Sequence, residues 1–198
     1  MNDQSWEMEL TDGLIIGLDS STQSTKAIAW SRAGELVAEG RAEIPMGMPQ
    51  AGYYEQDPVD WWAAACTALK SLFEQVDPAR VDAIAISNQR ETIGFFDRDL
   101  NPVRPAIVWL DTRSIAEIDQ LSETLGADNL HRICGKPNDI TPSHSSILWV
   151  TKNQPDVVKN LASVLDVATF LGGRLTGHQK VSWASADPSG VLDIEGRR

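Results

Sequence analysis

Three polar segments, each directly after an apolar run, hold the residues best suited to chemistry. The first is Asp19-Ser20-Ser21-Thr22-Gln23-Ser24-Thr25-Lys26. Small hydroxylated residues let the backbone turn tightly, so that N–H groups, the hydroxyls of Thr22 and Ser24 and one cation, Lys26, converge. Phosphate oxygens need that combination of short donors and a positive point charge. Asp19 would repel phosphate and instead suits magnesium, which often takes one carboxylate and completes its shell with water and phosphate oxygens. The composition fits equally an ordinary turn whose Asp and Ser side chains bond their own backbone, and the loop lacks the G-x-x-x-x-G-K-[ST] pattern. In the second segment, Ser87 to Thr92, Arg90 offers a donor fork and Glu91 a two-oxygen acceptor. Such a pair can grip neighbouring hydroxyls of a polyol or sugar; the plainer reading is a solvated ion pair worth at most about 1 kcal/mol. The third segment is Ile107 to Arg113. There Trp109 presents a flat apolar face for the C–H side of a sugar, with Asp111 as a hydroxyl acceptor. Alternatively Trp109 is a core residue and Asp111 caps a helix beginning near Thr112.

The surrounding elements must bring these segments together. Leu14 to Leu18 is a short apolar run and reads as a buried strand, Lys26 to Trp30 as a second and Leu36 to Ile44 as a third, joined as an antiparallel meander. Asp57 and Pro58 begin a helix whose apolar positions include Trp61, Ala65, Leu69 and Leu72, and which stops at Asp77-Pro78. Val81 to Ser87 is a further strand, Thr92 to Leu110 a hairpin, and Thr112 to Leu125 and Ser145 to Asn153 helices. Strands followed by alternating helices and strands predict an α/β domain with a mixed sheet.

The chain has 198 residues, with 17 Lys plus Arg against 28 Asp plus Glu and a net charge of −11. That balance argues against nucleic acid and against anionic membrane surfaces, because both draw affinity from a basic stripe. A small anionic ligand remains compatible, since backbone N–H groups can hold it inside an acidic protein. Cys66 and Cys134 form no C-x-x-C pair and suit a reducing cytosol, and the acidic start is unlike a signal peptide, so a cytoplasmic location is expected. Residues 1–12 read as a disordered leader. His131, His144 and His178 lack ligand-like spacing, and the seven Trp residues read mostly as core anchors.

The order of these segments is more specific than any one of them. Leu18 to Lys26, then Glu55-Gln56-Asp57-Pro58 before Trp61-Trp62, then Asn88 to Thr92, then Arg104 to Trp109, resembles the N-terminal half of the FGGY carbohydrate kinases. The resemblance runs from about Leu14 to the end, where Asp187 to Asp193 looks like a late strand segment. It implies an actin-like, ribonuclease-H-like domain spanning 13–198, with a mixed β-sheet flanked by helices, one of two domains closing over ATP and a sugar. By the same resemblance Thr22, Ser24 and Lys26 contact phosphate and Asp19 lies near Mg2+. Arg90, Glu91, Trp109 and Asp111 face the substrate. Ser21, where most members have Gly, looks like some xylulokinases; Arg90-Glu91 is similar to the glycerol kinase branch. Thr141 stands where a glycerol kinase has Tyr, so a ketopentose or related polyol is expected rather than glycerol. The general base, the adenosine pocket and the C-terminal domain are expected outside this chain, which would then be a truncated kinase without turnover of its own, monomeric or a homodimer. The alternatives are a non-catalytic sugar- or nucleotide-binding module of the actin-like fold and an actin-type ATPase.

Overall fold

A computed structural model describes residues 13–196; the expected leader at 1–12 lies outside the described residues. Among the described residues there are eight strands: β1 (Leu14–Ser20), β2 (Ser24–Ser31), β3 (Leu36–Glu43), β4 (Glu55–Gln56), β5 (Val81–Asn88), β6 (Ile93–Phe96), β7 (Pro102–Ile107) and β8 (Ser163–Asp166). The helices are α1 (Pro58–Phe73), α2 (Ile115–Leu125), α3 (Ala127–Cys134), α4 (His144–Asn153), α5 (Pro155–Asn160), α6 (Val167–Thr176) and α7 (Trp183–Ala186).

The meander β1–β2–β3 forms as the sequence predicts, and β5 adds in parallel to β1, giving a mixed sheet of order β3-β2-β1-β5. The expected hairpin does not join it. β6 and β7 build a second, antiparallel sheet of order β4-β7-β6-β8, whose outer strands β4 and β8 are too short to announce themselves by alternation. Asp187 to Asp193 is not a strand: Asp187–Ser189 is a 3₁₀ turn, where Pro188 lacks a ladder donor and Gly190 takes φ 72°.

The sequence places α1 well because its start is chemically marked. The Asp57 carboxylate accepts from the Val59 N–H, and Pro58 occupies the first turn. Small residues let the helix lie close to the sheet. Ala64, Ala65 and Ala68 are buried beneath it, and a Cβ at Gly40 of β3 would overlap the Ala68 carbonyl oxygen and crowd the Leu72 nitrogen. The core between α1, α6 and the mixed sheet holds Leu14, Ile16, Leu18, Trp61, Leu72 and Phe170. Phe96 stacks on Phe170 at 4.8 Å, and Trp61 meets Phe170 edge-on at 6.0 Å. The other face of the mixed sheet exposes Leu36, Trp30 and Ile15, which neighbour one another across three strands.

Candidate functional site

Because β1 and β5 run parallel, the polar segments after them emerge at one edge of the sheet, where α/β folds place ligands. The Gln89 N–H donates to the Ser20 carbonyl at 2.9 Å and ties the two segments together. On the outer face, Arg41, Lys26, Asp19 and Ser87 form a row across β3, β2, β1 and β5. Asp19 is exposed; its Oδ1 accepts from the Ser87 hydroxyl at 2.6 Å, leaving Oδ2 for another partner. Lys26 stands 3.7 Å from Glu39, an exposed and weak pairing. Ser24 lies two residues from Lys26 on β2 but is 6 % exposed, so only its edge is open. The Ser24 carbonyl closes the turn by accepting from Ser21 N–H and hydroxyl. Thr22 points to the junction of the two sheets, with different neighbours. One exposed carboxylate beside hydroxyls and a cation fits a magnesium–phosphate group that brings its own oxygens and water. Among the described residues no cluster of three His, Cys, Asp or Glu side chains could hold a metal unaided.

Arg90 and Glu91 sit together at the end of β5, the guanidinium 3.7 Å from the carboxylate and much the more exposed of the two. Glu91 takes φ 59°, uncommon for a residue with a Cβ, and the Ser143 hydroxyl donates to its carbonyl at 3.0 Å. Such conformations cost about 1–3 kcal/mol and persist where the surroundings enforce them. Burial raises the carboxyl pKa above its ordinary value, with Arg90 and Lys136 opposing the shift. A cavity of about 250 Å³ is lined here by Ser87, Asn88, Arg90, Glu91, Asp166 and Ser185. A second, of about 320 Å³, shares Glu91, Asp166 and Ser185 with it and continues among Ile93, Ile147 and Val164. Asp166, absent from the sequence reading, also caps α6 by accepting from the Thr169 N–H.

Trp109 is 42 % exposed and therefore not the core residue of the alternative reading; it lies outside the lining of both cavities. Asp111 departs from both expectations. Its carboxylate, 1 % exposed, accepts from Tyr54 N–H at 2.6 Å, Arg113 N–H at 2.9 Å, Arg113 Nε at 2.8 Å and Arg113 Nη2 at 2.7 Å. Little acceptor capacity remains for a ligand hydroxyl. Nor does Asp111 cap α2, which begins three residues after Thr112 with Ser114 before it. Arg113 also reaches Glu55 at 2.9 Å, and Glu55 holds Arg104 at 2.6 Å. Two cations and two anions thus balance in a buried group, with Arg113 stacked over Tyr53 at 4.2 Å.

Sequence reasoning passed over the polar residues between these groups. Gln56, Gln89 and Thr92 are buried at 2 %, 8 % and 0 % exposure and hydrogen-bond to one another. Their signal was present in the Glu55-Gln56-Asp57-Pro58 and Asn88 to Thr92 segments, as polar residues pressed against apolar strands.

The mixed sheet and flanking helices, with polar loops at the strand ends, make an α/β domain of ligand-binding type. Residues 14–198 match the N-terminal domain of the FGGY family of carbohydrate kinases, and the chain belongs to that family. It is 32% identical over 187 residues to a glycerol kinase of Thermococcus gammatolerans, covering 91% of this chain and 38% of that protein. It is 30% identical over 186 residues to a xylulose kinase of Klebsiella pneumoniae, covering 93% of this chain and 38% of the relative. Among solved structures, a xyloylose kinase from Brucella ovis superposes with a TM-score of 0.87 at 27% identity, over 93% of this chain and 38% of that one. The chain thus spans well under half the length of these relatives. Their actin-like, ribonuclease-H-like architecture is the fold seen here. Among the described residues no helix is long and apolar enough to cross a membrane.

Proposed function

We propose that this chain, over 13–198, is the sugar-binding N-terminal half of an ATP-dependent carbohydrate kinase that phosphorylates a hydroxyl of a ketopentose or related polyol. The observation that carries the reading is the strained, half-buried Glu91 beside Arg90 at the strand end where the Asp19 to Lys26 loop emerges, with Trp109 hydrogen-bonded to Thr22 of that loop and to Thr92. Arg90 donates to sugar hydroxyls, Glu91 accepts from them, and the exposed face of Trp109 takes the C–H side. The Thr22 hydroxyl, Lys26 and the rim of Ser24 meet the phosphate. Asp19 is the carboxylate for Mg2+, which when bound with ATP neutralises charge on the transferring phosphoryl. Phosphoryl transfer relies chiefly on positioning and charge, so these residues orient rather than react. Asp111 is not assigned to the substrate, because its oxygens are engaged internally. The general base and the adenosine pocket belong to polypeptide outside these residues, and the chain alone shows no turnover.

Calorimetric titration with D-xylulose and with glycerol tests the reading. Binding of D-xylulose that weakens at least about tenfold in Arg90→Ala and in Glu91→Ala supports it, a loss of about 1.4 kcal/mol or more. Indifference of binding to both substitutions refutes the site. Sugar-dependent ADP release by the isolated chain refutes the missing base. A cytoplasmic location and a homodimer belong to the same proposal, the first supported by the unpaired Cys66 and Cys134, the second by the uncovered Ile15, Trp30 and Leu36 face. Cell fractionation and sedimentation equilibrium read them.

A further inference from the structure

Five residues from four separate segments close a circuit of hydrogen bonds. Gln56 Nε2 donates to the Thr22 carbonyl at 2.6 Å. Gln56 Oε1 accepts from Gln89 Nε2 at 2.8 Å and from Trp61 Nε1 at 3.0 Å. The Thr92 hydroxyl donates to Gln89 Oε1 at 2.9 Å and accepts from the Trp109 backbone N–H at 3.2 Å. Trp109 Nε1 then donates to the Thr22 hydroxyl oxygen at 3.0 Å, and the circuit returns to its start.

The direction of every bond is fixed by its chemistry. An indole N–H only donates, so the Gln56 atom facing Trp61 is its oxygen. The other end of that amide is then its nitrogen, which matches the Thr22 carbonyl, an acceptor only. The Gln89 atom meeting the Gln56 oxygen must be nitrogen, which turns its oxygen to Thr92 and makes that hydroxyl the donor. The last bond has the largest consequence. Because the Thr22 hydroxyl oxygen receives the Trp109 indole N–H, the proton of that hydroxyl is directed elsewhere, where an anion can take it. Trp109 therefore has two roles at once: it is 42 % exposed and so open to a ligand, and its ring edge sets a hydroxyl of the phosphate loop. Buried amides are a costly way merely to fill space, since each loses water and must be matched.

We infer that this ring, with Gln56, Gln89 and Thr92 as its positioning residues, couples the seating of a sugar against Trp109, Arg90 and Glu91 to the setting of Thr22, so that sugar and phosphate each strengthen the other's binding. The inference rests on the functional reading above. Gln89 and Thr92 directly flank Arg90 and Glu91, so a sugar that moves that segment moves the ring, and the ring ends on Thr22 from both sides.

The experiment titrates D-xylulose into the chain with and without saturating inorganic phosphate. Coupled sites differ in affinity by about fivefold or more, reciprocally. The unmutated chain should therefore bind D-xylulose about fivefold more tightly with phosphate present, and phosphate more tightly with sugar present. Thr92→Val, which removes the hydroxyl while keeping the shape, and Gln89→Met bring that ratio towards one, whatever they do to sugar affinity itself. Thr92→Ser, which restores the hydroxyl, keeps the ratio, as a purely packing role would not require. In the unmutated chain, the Trp109 indole N–H resonance should shift on adding phosphate alone, a reading that needs no variant to fold. A ratio near one with both ligands bound, an unchanged ratio in Thr92→Val or Gln89→Met, or an indole signal indifferent to phosphate overturns the coupling and leaves the sugar site standing. Failure of the unmutated chain to bind D-xylulose overturns the functional reading and the coupling with it.

Discussion

Replacing Asp111 by alanine removes an acceptor of four hydrogen bonds and leaves the Arg113 guanidinium, 2% exposed, with Glu55 as its remaining carboxylate. Glu55 is already bound to Arg104, so the buried group passes from two cations and two anions to two cations and one anion. Breaking a buried pair by removing one partner costs about 3–5 kcal/mol, because a charge is left uncompensated away from water. With a urea slope near the upper end of about 1–3 kcal/mol per M, the unfolding midpoint should fall by about 1–2 M at unchanged slope. The double variant Asp111→Ala with Arg113→Met removes a neutral pair and leaves Arg104 with Glu55. It should therefore be more stable than Asp111→Ala alone, despite carrying one more substitution. Urea unfolding followed by tryptophan fluorescence gives all three midpoints. A loss below about 1 kcal/mol for Asp111→Ala, within the range of a surface pair, would refute the buried-charge argument. A double variant less stable than the single one would refute the charge balance. Full stability with lost sugar affinity would return Asp111 to the ligand.

Glu91 should make sugar affinity fall on acidification at a pH above the ordinary carboxylate range, because burial raises its pKa and only the ionised form accepts hydroxyls from both oxygens. The stability effect has the opposite sign: a folded-state pKa above the unfolded value means the ionised carboxylate costs stability at neutral pH. That cost is relieved as pH falls through the raised value towards 4.5. Affinity and unfolding midpoint measured across this window should diverge, and parallel loss of both would contradict the assignment. Gly40→Ala should destabilise the chain by about 1–3 kcal/mol, since the added methyl meets the α1 backbone at Ala68 and Leu72 rather than a movable side chain. A thermal midpoint within 1 °C of the unmutated chain's, roughly the resolution of the scan, would show that α1 moves aside without cost.

Much of the scaffold was legible because its causes are local. The apolar runs from Leu14 and Val81 became β1 and β5, and Asp57-Pro58 opened α1, since caps and strand runs depend on neighbours a few residues away. β4 and β8, of two and four residues, left too little pattern to read, and the hairpin's place in a second sheet depends on pairings with both. For the site, the polar run after the Val81 strand marked Arg90 and Glu91 as a strand end, while only the family resemblance grouped them with Trp109. Neither could show that Glu91 would be held at positive φ by Ser143, 52 residues on.

From the sequence alone followed an acidic α/β domain with a hydroxyl-rich loop, an Arg-Glu pair and a Trp that could be either core or exposed, because composition, caps and alternation act over short stretches of chain. Only the tertiary structure decided what each of those residues touches. Asp111 met Tyr54 across 57 positions and Arg113 beside it, and became part of a buried charge group instead of a ligand contact. Trp109 met Thr22 across 87 positions, joining two motifs that the sequence presents as separate. Hydrogen-bond capacity is a property of a residue type, but its partner is set by packing, and packing brings distant segments together only once the whole core has formed.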